Sequence, residues 1–422
     1  MRRRDILLRS LTTGLAKVVA AATAFFMTLL ITRNLNSSES GSVLLAITIL
    51  TVGSTIFRFG LDNVILRKVS SDFAEVRGRG VVLSGIFWIA AISIPFSIFT
   101  SLNSNFLAIN VFNNQDFSDI LKISILALPA ISSFMLLSKG FQGLQKVTTS
   151  VFFLNLGISL FFIIFFTFCL YAINVRLNAP ETMTIYVVSA YIVLGIGLLL
   201  WNRYCRGDWG KVDIYSRELL VSSSNLWLAS LSVLAVQWSS LLVAGAFVES
   251  SEFAVLSAAQ RTASLVSFIL MIVNMVVAPR FAILWKASNF SGLTSLAKWS
   301  ARGCILISTP VVLVILINSD EIMELFGNSY SRGAIYLSIL AFGQYINVVT
   351  GSVGYLLTMS GHERDYRKVT IIVGPLTIIL SYFLISNYGA LGAAISTTIG
   401  LCIQNISALF VVRHRLGFFP IG

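Results

Sequence analysis

Charge is what this sequence has least of. Only 11% of its 422 residues are Asp, Glu, Lys or Arg, against 56% hydrophobic. A soluble fold of that length cannot cover its surface with so few charges, which excludes a free globular domain. Acidic residues are scarcer still, 18 against 30 basic ones. The four cysteines are scattered: Cys169, Cys304 and Cys402 in apolar runs, Cys205 in a basic segment. None has metal or redox spacing, and the two histidines, His362 and His414, fall in connecting segments, so no metal site is expected. There is no Walker-type phosphate loop, and Gly195 and Gly197 sit inside an apolar run instead of a strand-to-helix turn. Paired carboxylates on an outer domain are lacking too, so no catalytic residue is assigned and no cofactor is expected.

What is there is a series of apolar runs. They fall near 11–32, 41–60, 80–100, 120–138, 148–172, 182–202, 219–247, 254–284, 298–318, 333–358, 369–387 and 389–412. Each suits the roughly 20 residues that a membrane helix needs. Helices satisfy their own backbone in lipid, whereas barrel strands would be about half as long and would alternate. The basic, apolar beginning mimics a signal peptide, but Lys17 interrupts it and the apolar run continues to Ile31, so it reads as an uncleaved first span.

Orientation follows from Lys and Arg. One set of connections holds Arg2 to Arg9, Arg67 to Arg79, Lys139 and Lys146, Arg203 to Arg217, Arg280 to Arg302, Arg364 to Lys368, and Arg413 and Arg415. The alternate set is acidic, with Glu39, Asp116, Asp119, Glu181, Glu249, Glu252, Asp320, Glu321 and Glu324. Both termini are therefore expected in the cytoplasm. The net charge of +12 is a topology signal and an attraction to anionic lipid heads, not a nucleic-acid footprint.

The halves resemble each other. Ser37-Ser38-Glu39 follows the first span and Ser250-Ser251-Glu252 the seventh; Gln145-Lys146-Val147-Thr148 opens the fifth and Arg367-Lys368-Val369-Thr370 the eleventh. The expectation is a six-helix lobe over 1–205, a cytoplasmic linker at 206–218 and a second lobe over 219–422. Parallel repeats of this kind are a transporter signature.

Ionisable residues within spans carry the functional reading, because burying charge in a membrane is expensive. Lys17 shares a helical face with Ser10, Thr13, Gly14, Ala20, Ala21, Ala24 and Thr28, while bulky residues fill the rest. A cation on a small and polar stripe suits a watery cavity; the bland alternative is that it snorkels to the interface. Arg261 flanks a stripe of Ser257, Gln260, Ser264, Ser267, Met271 and Asn274, in a span without an acidic residue. Its alternative is an ion pair with the outer-loop Glu249 or Glu252. Arg58 ends the second span with Asp62 four residues on, a spacing that permits a local pair as readily as a ligand contact. Asn225 lies on a similar polar face of the seventh span. Such a surface suits an anionic head carrying hydroxyls.

Four segments carry a family resemblance: Phe59-Gly60-Leu61-Asp62-Asn63-Val64-Ile65-Leu66-Arg67, Phe253 through Arg261 to Pro279, Leu325-Phe326-Gly327-Asn328-Ser329-Tyr330, and Gly389-Ala390-Leu391-Gly392-Ala393-Ala394. They resemble polysaccharide flippases of the multidrug, oligosaccharidyl-lipid and polysaccharide (MOP) exporter superfamily. The resemblance implies an all-α polytopic membrane protein with twelve transmembrane helices in two pseudo-symmetric six-helix bundles around a central cavity. It implies flipping of an undecaprenyl-diphosphate-linked oligosaccharide by alternating access across a bacterial inner membrane, in the O-antigen manner, beside a polymerase and glycosyltransferases. It assigns Lys17, Arg58 and Arg261 to the diphosphate; the polar helix faces place Thr13, Thr28, Asn225, Gln260, Ser264 and Asn274 on the cavity wall. Asp62 is the candidate coupling group, with the membrane potential, protons or sodium as the energy source. The rivals are a drug or cation antiporter of the same superfamily, which would call for acidic cavity residues, and a non-transporting scaffold, which would not need intramembrane cations.

Overall fold

The computed structural model describes residues 3–72, 76–174, 176–205 and 217–421; side chains at 3–13, 71–72, 76–79, 217–226 and 229 are left undescribed. Among the described residues every regular element is a helix. Eleven helical stretches are long and apolar enough to cross a membrane. The last of them, Glu363–Leu416, has a non-helical residue inside it, Gly389 at φ 57° and ψ −135°.

That glycine is a reversal. The Ser381 and Ser396 hydroxyls lie 3.3 Å apart, a Cβ on Gly400 would touch Thr377, and one on Gly392 would run into the Leu384 carbonyl. All three pairs are nearly symmetric about residue 389, so the limbs run antiparallel, and an Asp365–Arg415 ion pair at 2.7 Å ties their far ends. The stretch is therefore two crossings, which makes twelve spans among the described residues, as expected. The conformation at Gly389 is one that L side chains rarely adopt, although a Cβ there would meet open space. Gly389→Val should thus cost about 1–3 kcal/mol through backbone strain alone. Thermal unfolding in detergent checks this, with Gly195→Ala as the control. Gly195 also has open space around it but lies in a helix interior, where alanine is neutral or stabilising.

The repeated tripeptides turn out to be helix starts. Ser37-Ser38-Glu39 opens the second helix, Ser37–Phe57, with Asn36 and Glu39 forming a capping box. Ser250-Ser251-Glu252 opens Ser250–Lys286, where Glu252 instead accepts a 2.7 Å bond from the Tyr336 hydroxyl. The second repeat is less regular. Val147 begins the fifth span, but Arg367 lies inside a helix that starts at Glu363.

The chain divides into two compact units, Leu11–Leu231 and Ser232–Gly422, with Met1–Ser10 grouped to the second. The division falls within the helix Arg217–Phe247; most of the linker expected at 206–218 lies outside the described residues. The first unit packs tightly near residue 140. Phe141 stacks on Phe153 at 5.2 Å, and the ring of Trp201 fills the space beside Gly140. The fifth span contains a π-helical segment, Phe152–Leu156, within Val147–Tyr171. In the second unit, Val277, Phe281, Leu293, Val353, Leu356, Ala408 and Val412 form one core cluster. Hydroxyls join helices without charge: Ser240 lies 2.9 Å from Ser381 and 3.0 Å from Ser396. Large apolar side chains such as Leu102, Phe168, Leu199 and Leu306 are exposed, as a surface solvated by lipid requires.

Candidate functional site

The first unit gathers the charges of interest at the end of the second helix. That helix stops at Phe57, and the backbone then turns through two left-handed residues, Phe59 at φ 48° and Gly60 at φ 72°. Glycine takes this conformation freely; phenylalanine does not. Phe59 is held there by its surroundings. Its ring packs against Phe57 at 6.3 Å and Trp227 at 5.4 Å, and the Trp227 indole N–H donates to the Ile56 carbonyl at 3.1 Å. The turn aims the next helix, Leu61–Asp72, so that Asp62 faces back toward Arg58.

Arg58 is only 8% exposed, and every nitrogen of its guanidinium is engaged. Nε lies 3.0 Å from both carboxylate oxygens of Asp62 and donates to Oδ2. Nη1 donates to the Ser54 carbonyl at 3.1 Å and packs on the Met135 sulfur, and Nη2 donates to Thr55 Oγ1 at 3.2 Å. The planar fork of arginine, with five donors, makes this possible. Asp62 Oδ1 is buried and takes no hydrogen bond.

A regular register carries the cluster further. Ser54 and Arg58 touch Met135, and a Cβ on Gly143 would press on Val69 and the Leu66 carbonyl. The segments 54–69 and 135–143 therefore run side by side in the same direction. Asp62 comes level with Lys139, one helical turn beyond Met135. Attraction from Asp62 and repulsion from Arg58 both reach the Lys139 ammonium, and Lys139 in turn repels that of Lys17. Lys139 was expected in a basic connection after a span ending at 138. The helix Leu128–Gly143 continues past it, and Lys139 belongs to the fourth span, Phe117–Gly143.

Lys17 lies on the face that the periodicity picks out. Leu15, Val18 and Val19 are exposed, whereas Ala20 and Thr28 are buried. A Cβ built on Gly14, one turn before Lys17 on the same face, would meet open space. Among the described residues neither Lys17 nor Lys139 has a hydrogen bond or ion pair. Arg58 and Lys139 thus flank one carboxylate, which is committed to Arg58, and Lys17 adds a further cation within reach of Lys139. The excess positive charge could be neutralised by a dianion placed against the two ammonium groups.

Arg261 belongs to the second unit. It is half-buried in Ser250–Lys286, and Glu252 of the same helix is bonded to Tyr336. Around it the polar stripe is mixed. Ser264 donates to the Gln260 carbonyl at 2.7 Å and Ser267 to the Ser264 carbonyl at 2.7 Å, so both hydroxyls serve their own backbone. The Asn274 side-chain carbonyl and the Ser257 hydroxyl are buried without a hydrogen bond. In the first unit the Thr28 hydroxyl is likewise spent on the Ala24 carbonyl, at 3.0 Å. The side chains of Thr13 and Asn225 lie outside the described residues. No group of three or more potential metal ligands occurs among the described residues.

A model of the family described as polysaccharide biosynthesis protein matches residues 8–285, more than half of the chain, and a MatE model matches residues 226–383. A probable low-salt glycan biosynthesis flippase of Haloferax volcanii, Agl15, is 25% identical over 46% of this chain; the match spans only 39% of that relative's length. Among solved structures, an inward-facing multidrug resistance MATE family transporter of the MOP superfamily superposes with a TM-score of 0.76 at 14% identity, covering 96% of this chain and 98% of that one. The lipid II flippase MurJ, in an inward closed conformation, superposes with a TM-score of 0.77 at 14% identity, covering 95% and 87%. Identities this low establish the fold and leave the cargo open.

Proposed function

The chain belongs to the polysaccharide biosynthesis protein family of the MOP superfamily, and from that premise we propose that it flips a lipid-linked oligosaccharide whose carrier is a polyprenyl diphosphate, undecaprenyl in a bacterium. One observation carries this reading: among the described residues Lys17 and Lys139 hold half-buried ammonium groups without an ion pair, while Asp62, the carboxylate that acts on Lys139, is engaged by Arg58. Uncompensated charge within a membrane protein is costly and faces a pathway or a partner. An anionic head supplies the missing counter-charge, whereas an organic cation would be repelled.

In this mechanism the diphosphate exchanges water for the two ammonium groups, which lowers the desolvation barrier to crossing. Arg58 and Asp62 form the fixed wall against which Lys139 is presented. The second unit has a cation of its own, Arg261, with the neutral Gln260 and Asn274 on the same helix as polar groups. The prenyl tail remains in lipid throughout, and access alternates between the two leaflets. With the basic connections in the cytoplasm, transport is outward, and a cytosol-negative potential assists it by about 2.3 kcal/mol per charge per 100 mV. Asp62, through Oδ1, is the group at which a proton or sodium ion would couple. Glycosyltransferases that build the head and a polymerase that consumes it are the matching partners.

Reconstituted vesicles test the reading. A fluorescent prenyl-diphosphate oligosaccharide should become accessible to an external quencher only in vesicles that contain the protein. Uptake of an organic cation such as ethidium, with no movement of the labelled lipid, would assign the chain to the antiporter class instead.

A further inference from the structure

The ninth span, Phe290–Ile317, carries a second basic site, distant in sequence from the charges discussed above. A groove of about 570 Å³ runs along its first half, lined by Phe290, Ser291, Ser295, Lys298, Trp299 and Arg302 among others. Lys298 and Arg302 are one turn apart on the same face. Neither has a hydrogen bond or ion pair among the described residues. Their isolation has a sequence cause: no Asp or Glu occurs from residue 253 to residue 319. Asp365, at the start of the eleventh span, is engaged by Arg415.

The same face changes character beyond Arg302. Leu306 (77% exposed), Leu313 and Ile317 (77%) follow it at helical spacing, all apolar and uncovered. With 28 residues, the helix is about 42 Å long, against about 30 Å of hydrocarbon. Roughly a third of it must therefore stand in the headgroup zone, and the basic end with the exposed indole of Trp299 is the end suited to it. The helix thus presents two cations and three hydroxyls, those of Ser291, Thr294 and Ser295, at headgroup depth, then a greasy strip at acyl-chain depth.

We propose that this face is a binding site for an anionic phospholipid. The phosphate lies between Lys298 and Arg302, serine hydroxyls and the Trp299 indole edge meet the rest of the headgroup, and one acyl chain follows Leu306 to Ile317. The charge pattern selects the ligand: a zwitterionic lipid offers a choline cation to a groove that has no acid to receive it.

Native mass spectrometry of the full chain, released from detergent with added lipid, tests the proposal. Phosphatidylglycerol should remain bound at activation energies that strip phosphatidylcholine. A Lys298→Ala/Arg302→Ala variant should bind phosphatidylglycerol about thirtyfold more weakly, from about fivefold per basic side chain. An Arg302→Lys variant keeps the charge and should retain most of the binding, which controls for misfolding, and Arg332→Ala should change nothing. Equal retention of the two lipids, or unaltered phosphatidylglycerol binding by the double variant, would overturn the proposal. So would competition by soluble glycerol phosphate at millimolar concentration, which would mark a site for free anions. Tighter retention of a prenyl diphosphate than of phosphatidylglycerol would overturn it in favour of a docking site for cargo.

Discussion

Lys139→Ala is expected to cut flipping of a prenyl-diphosphate oligosaccharide at least tenfold while leaving the melting temperature unchanged or higher. The two halves of that result share one cause. A half-buried ammonium with no ion pair destabilises the empty protein, because its desolvation is not repaid. The same group forms a charge-assisted hydrogen bond to a phosphate when cargo arrives, worth about 1.5–3 kcal/mol, or roughly ten- to a hundredfold in affinity. Lys17→Ala should behave alike, and the double variant should lose more than either single one. Lys139→Arg should keep most activity, since the charge survives. The measurement is the initial flipping rate in vesicles at matched protein content, paired with thermal unfolding in detergent. Wild-type rates in both alanine variants would remove the lysines from the pathway. A large fall in melting temperature would mean that Lys139 holds the fold together, contrary to the contacts it makes.

Arg58→Ala should act in the opposite sense on stability, lowering it by about 3 kcal/mol. Breaking a buried pair from one side leaves the other charge uncompensated, and here the Ser54 carbonyl and Thr55 hydroxyl also lose a donor. Asp62→Ala should be destabilising too, because it leaves the buried Arg58 guanidinium without its carboxylate. The double variant Arg58→Ala/Asp62→Ala should recover a good part of the loss, a coupling that a double-mutant cycle reads directly. Arg58→Lys should remain destabilised, since one ammonium cannot reach the carboxylate, carbonyl and hydroxyl together. Thermal unfolding in a single detergent provides all four values. Additive losses for Arg58 and Asp62 would show that the 3.0 Å contact contributes nothing.

The two residue pairs differ in how they could be read. Arg58 and Asp62 are four apart, and a turn of helix suffices to bring them together. Lys17 is also local, since its neighbours on one helix define its face. Lys139 is not local in that sense. A boundary error of a few residues moved it from a span to a connection, and its nearness to Asp62 comes from the register of two helices more than seventy residues apart in sequence. Met135, which supports Arg58 through sulfur, carries no polar signal at all in an apolar run. Trp227 braces the Phe59 turn from farther still, and nothing in its own segment announces that. On the eighth span, Ser264 and Ser267 join the polar stripe by spacing, and only the structure shows that their hydroxyls bond their own helix.

Composition and period alone determined that this chain is built from apolar helices long enough to cross a membrane, and which of the segments between its apolar runs are basic. Those properties depend on transfer free energy and backbone sterics, both of which act residue by residue or within one turn. Gly60 and Gly389 stood out in the sequence only as members of the segments that carry the family resemblance; that both take dihedrals which only a residue without Cβ adopts at little cost is shown by the structure. The tertiary structure decided which charges meet. Electrostatic partnership in a membrane protein is settled by side-by-side helix register, where a shift of one turn exchanges a paired cation for an open one.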